Sequence, residues 1–160
     1  MASFSGNSIE ILQQLPSTNA TLSFSCRHCG IKDLQAPTFM DVPNIVALDL
    51  AYNDITTDEL TPDVFRGPYR MTSYEPIALI ELDLSHNKLH SLDRRVFEHT
   101  PNITKLNLSW NNFNVLDNPT TMALASATLL QVSQLAPIVE ILFTIVVNRT
   151  IIKGINILYL

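Results

Sequence analysis

The sequence predicts a repeat solenoid, a coil whose successive turns stack short parallel strands. Three observations predict it. Ile45 to Ile55 (IVALDLAYNDI), Leu79 to Leu89 (LIELDLSHNKL) and Ile103 to Phe113 (ITKLNLSWNNF) share one pattern, L-x-x-L-x-L-x-x-N-x-L. Asn87 and Asn111 stand 24 residues apart, as do Cys29 and Asn53. A phenylalanine follows each of three motifs at nearly fixed distance: Phe39, Phe65 and Phe97.

Each element follows from this register. Thr21 to Ile31 (TLSFSCRHCGI) is a degenerate first copy, with Cys29 where the others carry asparagine. The L-x-L core is a short strand with alternating faces, so Leu48, Leu50, Leu82, Leu84, Leu106 and Leu108 point into the core. The motif asparagine turns inward, where its amide must be satisfied by neighbouring backbone. Cys29, Asn53, Asn87 and Asn111 therefore form a structural column. Leu34 and Leu92, with the three phenylalanines, pack from the opposite side. Asn53 to Asn87 spans 34 residues, one repeat plus ten. Two extra residues precede Phe65, and the rest fall within Gly67 to Pro76, which reads either as a recognition loop or as a tolerated insertion.

The chain has 160 residues, 22 of them leucine, and a net charge of −5. With 46% apolar residues it can bury a core, which excludes wholesale disorder. An acidic balance argues against nucleic acid as a partner. Charge is unevenly placed: residues 118–160 carry only Glu140, Arg149 and Lys153. The expected organisation is an N-terminal extension (1–20), repeats (21–117, insertion near 67–76) and an apolar non-repeat tail (118–160) that covers the open end. In the tail, Met122 to Leu135 suits a helix, while Val139 to Val147 and Thr150 to Leu160 suit a strand pair.

With these motifs in hand, residues 21–117 resemble extracellular-type leucine-rich-repeat proteins, of the Toll-type and chaoptin-like insect cell-surface kind. The phenylalanine column and the Pro43-Asn44-Ile45 and Pro101-Asn102-Ile103 strand starts carry the finer likeness. The resemblance implies an α/β horseshoe of about four repeats with a concave parallel sheet that binds another protein, at the cell surface or outside the cell. Two features depart from it. No cysteine-rich cap is visible, and no secretory leader appears in Met1 to Leu12. Both suit a fragment or short isoform of a longer array.

Outward positions of the strands supply the candidate binding face. Ser25, Asp49, Asp83 and Asn107 occupy the central outward column. His28, Tyr52, His86 and Trp110, each just before the inward residue, form an aromatic stripe. With Glu81 and Lys105 beside them, the expected face comprises His28, Asp49, Tyr52, Glu81, Asp83, His86, Lys105 and Trp110. Its acids favour a basic partner. The competing reading is that the rings simply stack on one another. For Cys26-Arg27-His28-Cys29, the register favours two buried thiols over a local disulfide or a metal or redox site, because no second ligand pair exists.

No nucleophile, zinc-protease, phosphate-loop or dinucleotide signature occurs, so the sequence predicts no enzyme, metal or cofactor. Asn19, Asn102, Asn107 and Asn148 head N-x-S/T sequons and are candidate glycosylation sites. The leading function is a protein-binding repeat module. The alternative is a membrane-tethered receptor fragment held by residues 135–160, whose apolar run is broken by charges.

Overall fold

The computed structural model describes residues 1–127 and 131–134. The strands are β1 (Ala2–Ser3), β2 (Ile11–Leu12), β3 (Leu22–Ser25), β4 (Asp33–Leu34), β5 (Ile45–Asp49), β6 (Tyr69–Arg70), β7 (Ser73–Tyr74), β8 (Glu81–Asp83), β9 (Lys105–Asn107) and β10 (Gln131–Gln134). Six of them form one sheet in the order β1-β3-β5-β8-β9-β10, with every pairing parallel. Stepping from β1 to β9 winds the chain through about four turns.

The strand register is the motif register. Phe24, Leu48, Leu82 and Leu106 are successive partners, as are Ser25, Asp49, Asp83 and Asn107. The first row is buried and the second lines the open face, because neighbours on a strand face opposite ways. Behind the sheet Cys26, Leu50, Leu84 and Leu108 are buried, followed by Ile31, Ile55 and Leu89. A second, shorter parallel ladder runs across the turns. It consists of β2 with β4, the Thr56–Lys88 bridge, and backbone bonds from Asp54 N to Ile31 O (2.8 Å) and Asn112 N to Leu89 O (2.7 Å).

On the convex side Phe39, Phe65 and Phe97 are all buried. Phe39 and Phe65 stack with ring centres 6.0 Å apart. Helix is scarce there among the described residues: a 3-10 turn at Pro62–Phe65 and one α-helix, α1 (Asn118–Ser126). The expected α/β class is therefore only loosely met, and the fold is better described as a parallel-sheet β-solenoid.

Both ends differ from expectation. Residues 1–20 are not merely an extension, because β1 pairs with β3 and β2 with β4. Ala2 aligns with Phe24, which puts Asn7 in register with Cys29, although at this end of the coil Asn7 is exposed. Its Nδ2 donates to Phe4 O (2.7 Å), the same three-residue reach that Asn53 makes to Leu50 O. At the other end the array does not stop at Leu116. Asp117 caps α1 by accepting from Thr120 N (2.9 Å), with Pro119 in the first turn, and Thr120, Ala123 and Leu124 are buried. The helix thus starts and ends earlier than the expected Met122 to Leu135, and Gln131–Gln134 instead pairs with β9. Burial alone would raise the Asp117 carboxyl. The hydrogen bonds from Ser91 and Thr120 outweigh it and hold the group below its usual range. The strand pair expected in residues 139–160 lies outside the described residues.

The insertion is a hairpin, β6 with β7, in the register Tyr69–Tyr74 and Arg70–Ser73. Its base is closed by Gly67 N to Glu75 O (3.0 Å) and Glu75 N to Pro68 O (2.9 Å). A side chain at Gly67 would meet Glu75 O at 2.5 Å, so only glycine fits there. Tyr74 lies beneath the Arg66 guanidinium (4.4 Å) and edge-on to Tyr69. Met71, at the first position of the two-residue turn, has φ +55° and is almost fully exposed. Glycine is the favoured residue at that position of a tight hairpin. We predict that Met71→Gly raises stability by about 0.5–1 kcal/mol, the relief of left-handed strain less glycine's entropy. A urea titration showing no gain, or a loss, would place the hairpin in another turn geometry.

Candidate functional site

The motif asparagines are built into the backbone. Asn53 Oδ1 accepts from Cys29 N (3.0 Å) and Ile31 N (3.1 Å), and its Nδ2 donates to Cys26 O (2.8 Å) and Leu50 O (2.9 Å). Asn87 repeats the arrangement with Ile55 N, Leu50 O and Leu84 O. Asn111 does so with Leu89 N, Leu84 O and Leu108 O. Each amide joins its own turn to the preceding one, which fixes where the chain leaves the strand.

That exit forces an unusual backbone. Gly6, His28, Tyr52, His86 and Trp110 all have φ between +51° and +77°. Each is the residue just before the inward position. Glycine occupies this left-handed site only in the first turn. In the next four it is filled by large rings, for which the conformation costs about 1–2 kcal/mol each. The rings stack along the exit rim: His28 on Tyr52 (4.3 Å), Tyr52 on His86 (4.0 Å) and His86 on Trp110 (5.4 Å). Stacking contributes about 0.5–1.5 kcal/mol per pair, so it offsets the strain rather than adding net stability. Trp110 is 66% exposed and Tyr52 37%.

The acidic column serves the turn as well. Asp49 Oδ1 accepts from Ala51 N (3.1 Å), Asp83 Oδ1 from Ser85 N (2.9 Å) and Asn107 Oδ1 from Ser109 N (3.1 Å). A residue that sequence reasoning passed over organises the rest. Arg27 donates from Nη1 to both oxygens of Asp49 (3.2 and 3.1 Å), and it lies 3.7 Å from Asp83 Oδ2 and 5.0 Å above the Tyr52 ring. The bond to Asp49, working against burial, raises the Arg27 guanidinium further above its ordinary value. Lys105 pairs with Glu81. Three acids thus face two cations, and the acidity expected from Asp49, Glu81 and Asp83 is mostly cancelled. Between these columns runs a shallow groove of about 310 Å³ floored by small side chains, Ser23, Ser25 and Ala47.

Cys26 and Cys29 form a disulfide and are both buried. This corrects the expectation of two separate thiols. The two positions point inward three residues apart, and the left-handed turn at His28 folds one back toward the other, with Cα atoms 5.6 Å apart. Cys29 therefore sits in the asparagine column without acting as a side-chain donor in it. Among the described residues, no group of three or more His, Cys, Asp or Glu is placed to hold a metal ion.

The sequons fall in different settings. Asn19 and Asn102 are exposed in irregular or turn segments. Asn107 is half-buried on β9, where its Nδ2 donates to Asp83 Oδ2 (3.2 Å). Asn148 and the apolar run from residue 135 lie outside the described residues. Among the described residues no helix is long and apolar enough to cross a membrane.

Residues 76–134 match the family model for leucine rich repeat. The match spans the turns that contain β8, β9 and β10, and agrees with the solenoid seen there. Domains of this type are generally non-enzymatic modules that bind other proteins. No curated protein matches the chain, so the narrower likeness to Toll-type and chaoptin-like proteins has no relative to support it.

Proposed function

We propose that this chain is a protein-binding module of a cell-surface or secreted recognition protein, and that it engages its partner along the open sheet face and the aromatic exit rim. The observation that carries the proposal is the ring column itself. Four large rings occupy a left-handed position where glycine would be unstrained, and their mutual stacking no more than offsets the strain. Stacking alone therefore does not explain them. A rigid stripe of ring edges beside a shallow groove is what a partner's hot-spot residues require. Because the solenoid fixes the columns in advance, little ordering entropy is lost on binding.

The Cys26–Cys29 disulfide supports an oxidising compartment, since such bonds form and persist outside the cytosol. The near-cancellation of charge by Arg27 and Lys105 removes the reason to favour a basic partner.

The test uses binders selected from a display library against the intact chain. Tyr52→Ala combined with Trp110→Ala should weaken the dominant binder at least tenfold and leave the circular dichroism spectrum of the folded chain unchanged, while stability falls by about 1.5–4.5 kcal/mol because three ring pairs are lost and the left-handed strain stays. Unaltered affinity returns the rings to a purely local stacking role.

A further inference from the structure

We infer that the fold has one glycan-bearing rim and one bare rim, with N-linked glycans at Asn19 and Asn102 and none at Asn107. The inference rests on the cell-surface reading for its biological setting, but its geometry is independent of that reading.

Asn19-Ala20-Thr21 and Asn102-Ile103-Thr104 both lie on the side where the chain returns to the sheet, each sequon asparagine three residues ahead of its strand, β3 or β9. Both asparagines are exposed, and no side-chain hydrogen bond of either occurs among the described residues. A sugar attached at either position points into solvent and displaces nothing. Asn107 is the opposite case. Its Nδ2 is bonded to Asp83 Oδ2, and its Oδ1 accepts from both Ser109 N (3.1 Å) and Ser109 Oγ (2.7 Å). The serine hydroxyl of that sequon is thus already committed to the asparagine's own oxygen. A glycan on Asn107 would stand in the strand row beside Asp83 and Lys105, along the groove.

The consequence for recognition is directional. The aromatic column sits at the other ends of the strands, just after β3, β5, β8 and β9. Sugar on the strand-start rim leaves that column and the groove open, so a partner approaches from the strand-end rim. The hairpin of the insertion lies between the two sequons in chain order, and its Tyr74 sits edge-on to His99 (6.2 Å), three residues before Asn102.

The experiment directs the chain into the secretory pathway of cultured eukaryotic cells behind an added leader, so that the leader supplies the compartment. Site occupancy is read by enzymatic deglycosylation in heavy-oxygen water followed by peptide mass spectrometry. Asn19 and Asn102 should each be occupied in most molecules, and Asn107 in fewer than about one in ten. Asn19→Gln and Asn102→Gln should each remove one glycan's mass, while Asn107→Gln should leave the glycan mass at the described sites unchanged. Occupancy at Asn107, or none at either Asn19 or Asn102, overturns the inference. The binding reading is judged separately, on enzymatically deglycosylated protein. Full affinity there with the wrong sites occupied refutes the glycan map alone, whereas the right sites with no binder refute the binding reading alone.

Discussion

Asn53→Ala should destabilise the protein by about 3–5 kcal/mol, measured by urea denaturation. The amide accepts from the backbone N–H groups of Cys29 and Ile31 and donates to the carbonyls of Cys26 and Leu50. Asn53 is 7% exposed, so water has little access to replace those partners. Leu50 O keeps its bond from Asn87 Nδ2, so three backbone groups are orphaned at about 1–3 kcal/mol each, and partial relaxation keeps the sum in the lower half of that range. Asn53→Asp should cost at least as much as alanine at neutral pH, because it sets a buried carboxylate oxygen against the carbonyls of Cys26 and Leu50. Asn111, which is half-buried, should tolerate alanine better. A loss under about 1 kcal/mol at Asn53 would mean that the turn is held by something other than the side-chain amide. Natural domains are stable by only about 5–15 kcal/mol, so the expected loss should partly unfold the N-terminal turns at ambient temperature.

Phe65→Ala should destabilise by a similar amount, about 3–5 kcal/mol. The ring is fully buried, stacks on Phe39 and fills the space behind the sheet at the turn that carries the insertion. Phe65→Leu should recover more than half of the loss by refilling most of the volume. If alanine were tolerated within about 1 kcal/mol, the convex column would be loosely packed and the insertion would not be anchored through it.

The central turns were legible in the sequence because two constraints repeat together. Leucines set the strand faces, and a single asparagine in each turn marks where the chain bends inward. The first turn was not legible. Its inward row contains Ala2 and Phe4 rather than leucines, and Asn7 precedes Cys29 by 22 residues instead of 24. The continuation past Leu116 was hidden for a related reason. Thr121 stands where phenylalanine would be expected, and a short capped helix fills the convex side instead.

Within the site, spacing placed His28, Tyr52, His86 and Trp110 in one column but carries no information about φ. The left-handed backbone, whose strain their stacking offsets, emerged only from the structure. Arg27 escaped notice because its long side chain crosses to the next two strands, a reach that no fixed spacing encodes. The register ranks two thiols above the disulfide because two inward residues on one short segment look separate until the turn between them closes.

We place recognition on the sheet face and its exit rim. Hydroxyl-radical footprinting of the intact chain with its selected binder tests this most directly, because the exposed rings and the exposed hairpin tip report in one measurement. On binding, Trp110 and Tyr52 should lose most of their reactivity, while Met71 and Tyr69, 98% and 59% exposed on the hairpin, should keep theirs. Protection of Met71 and Tyr69 with Trp110 still fully reactive would move recognition to the hairpin and away from the sheet face.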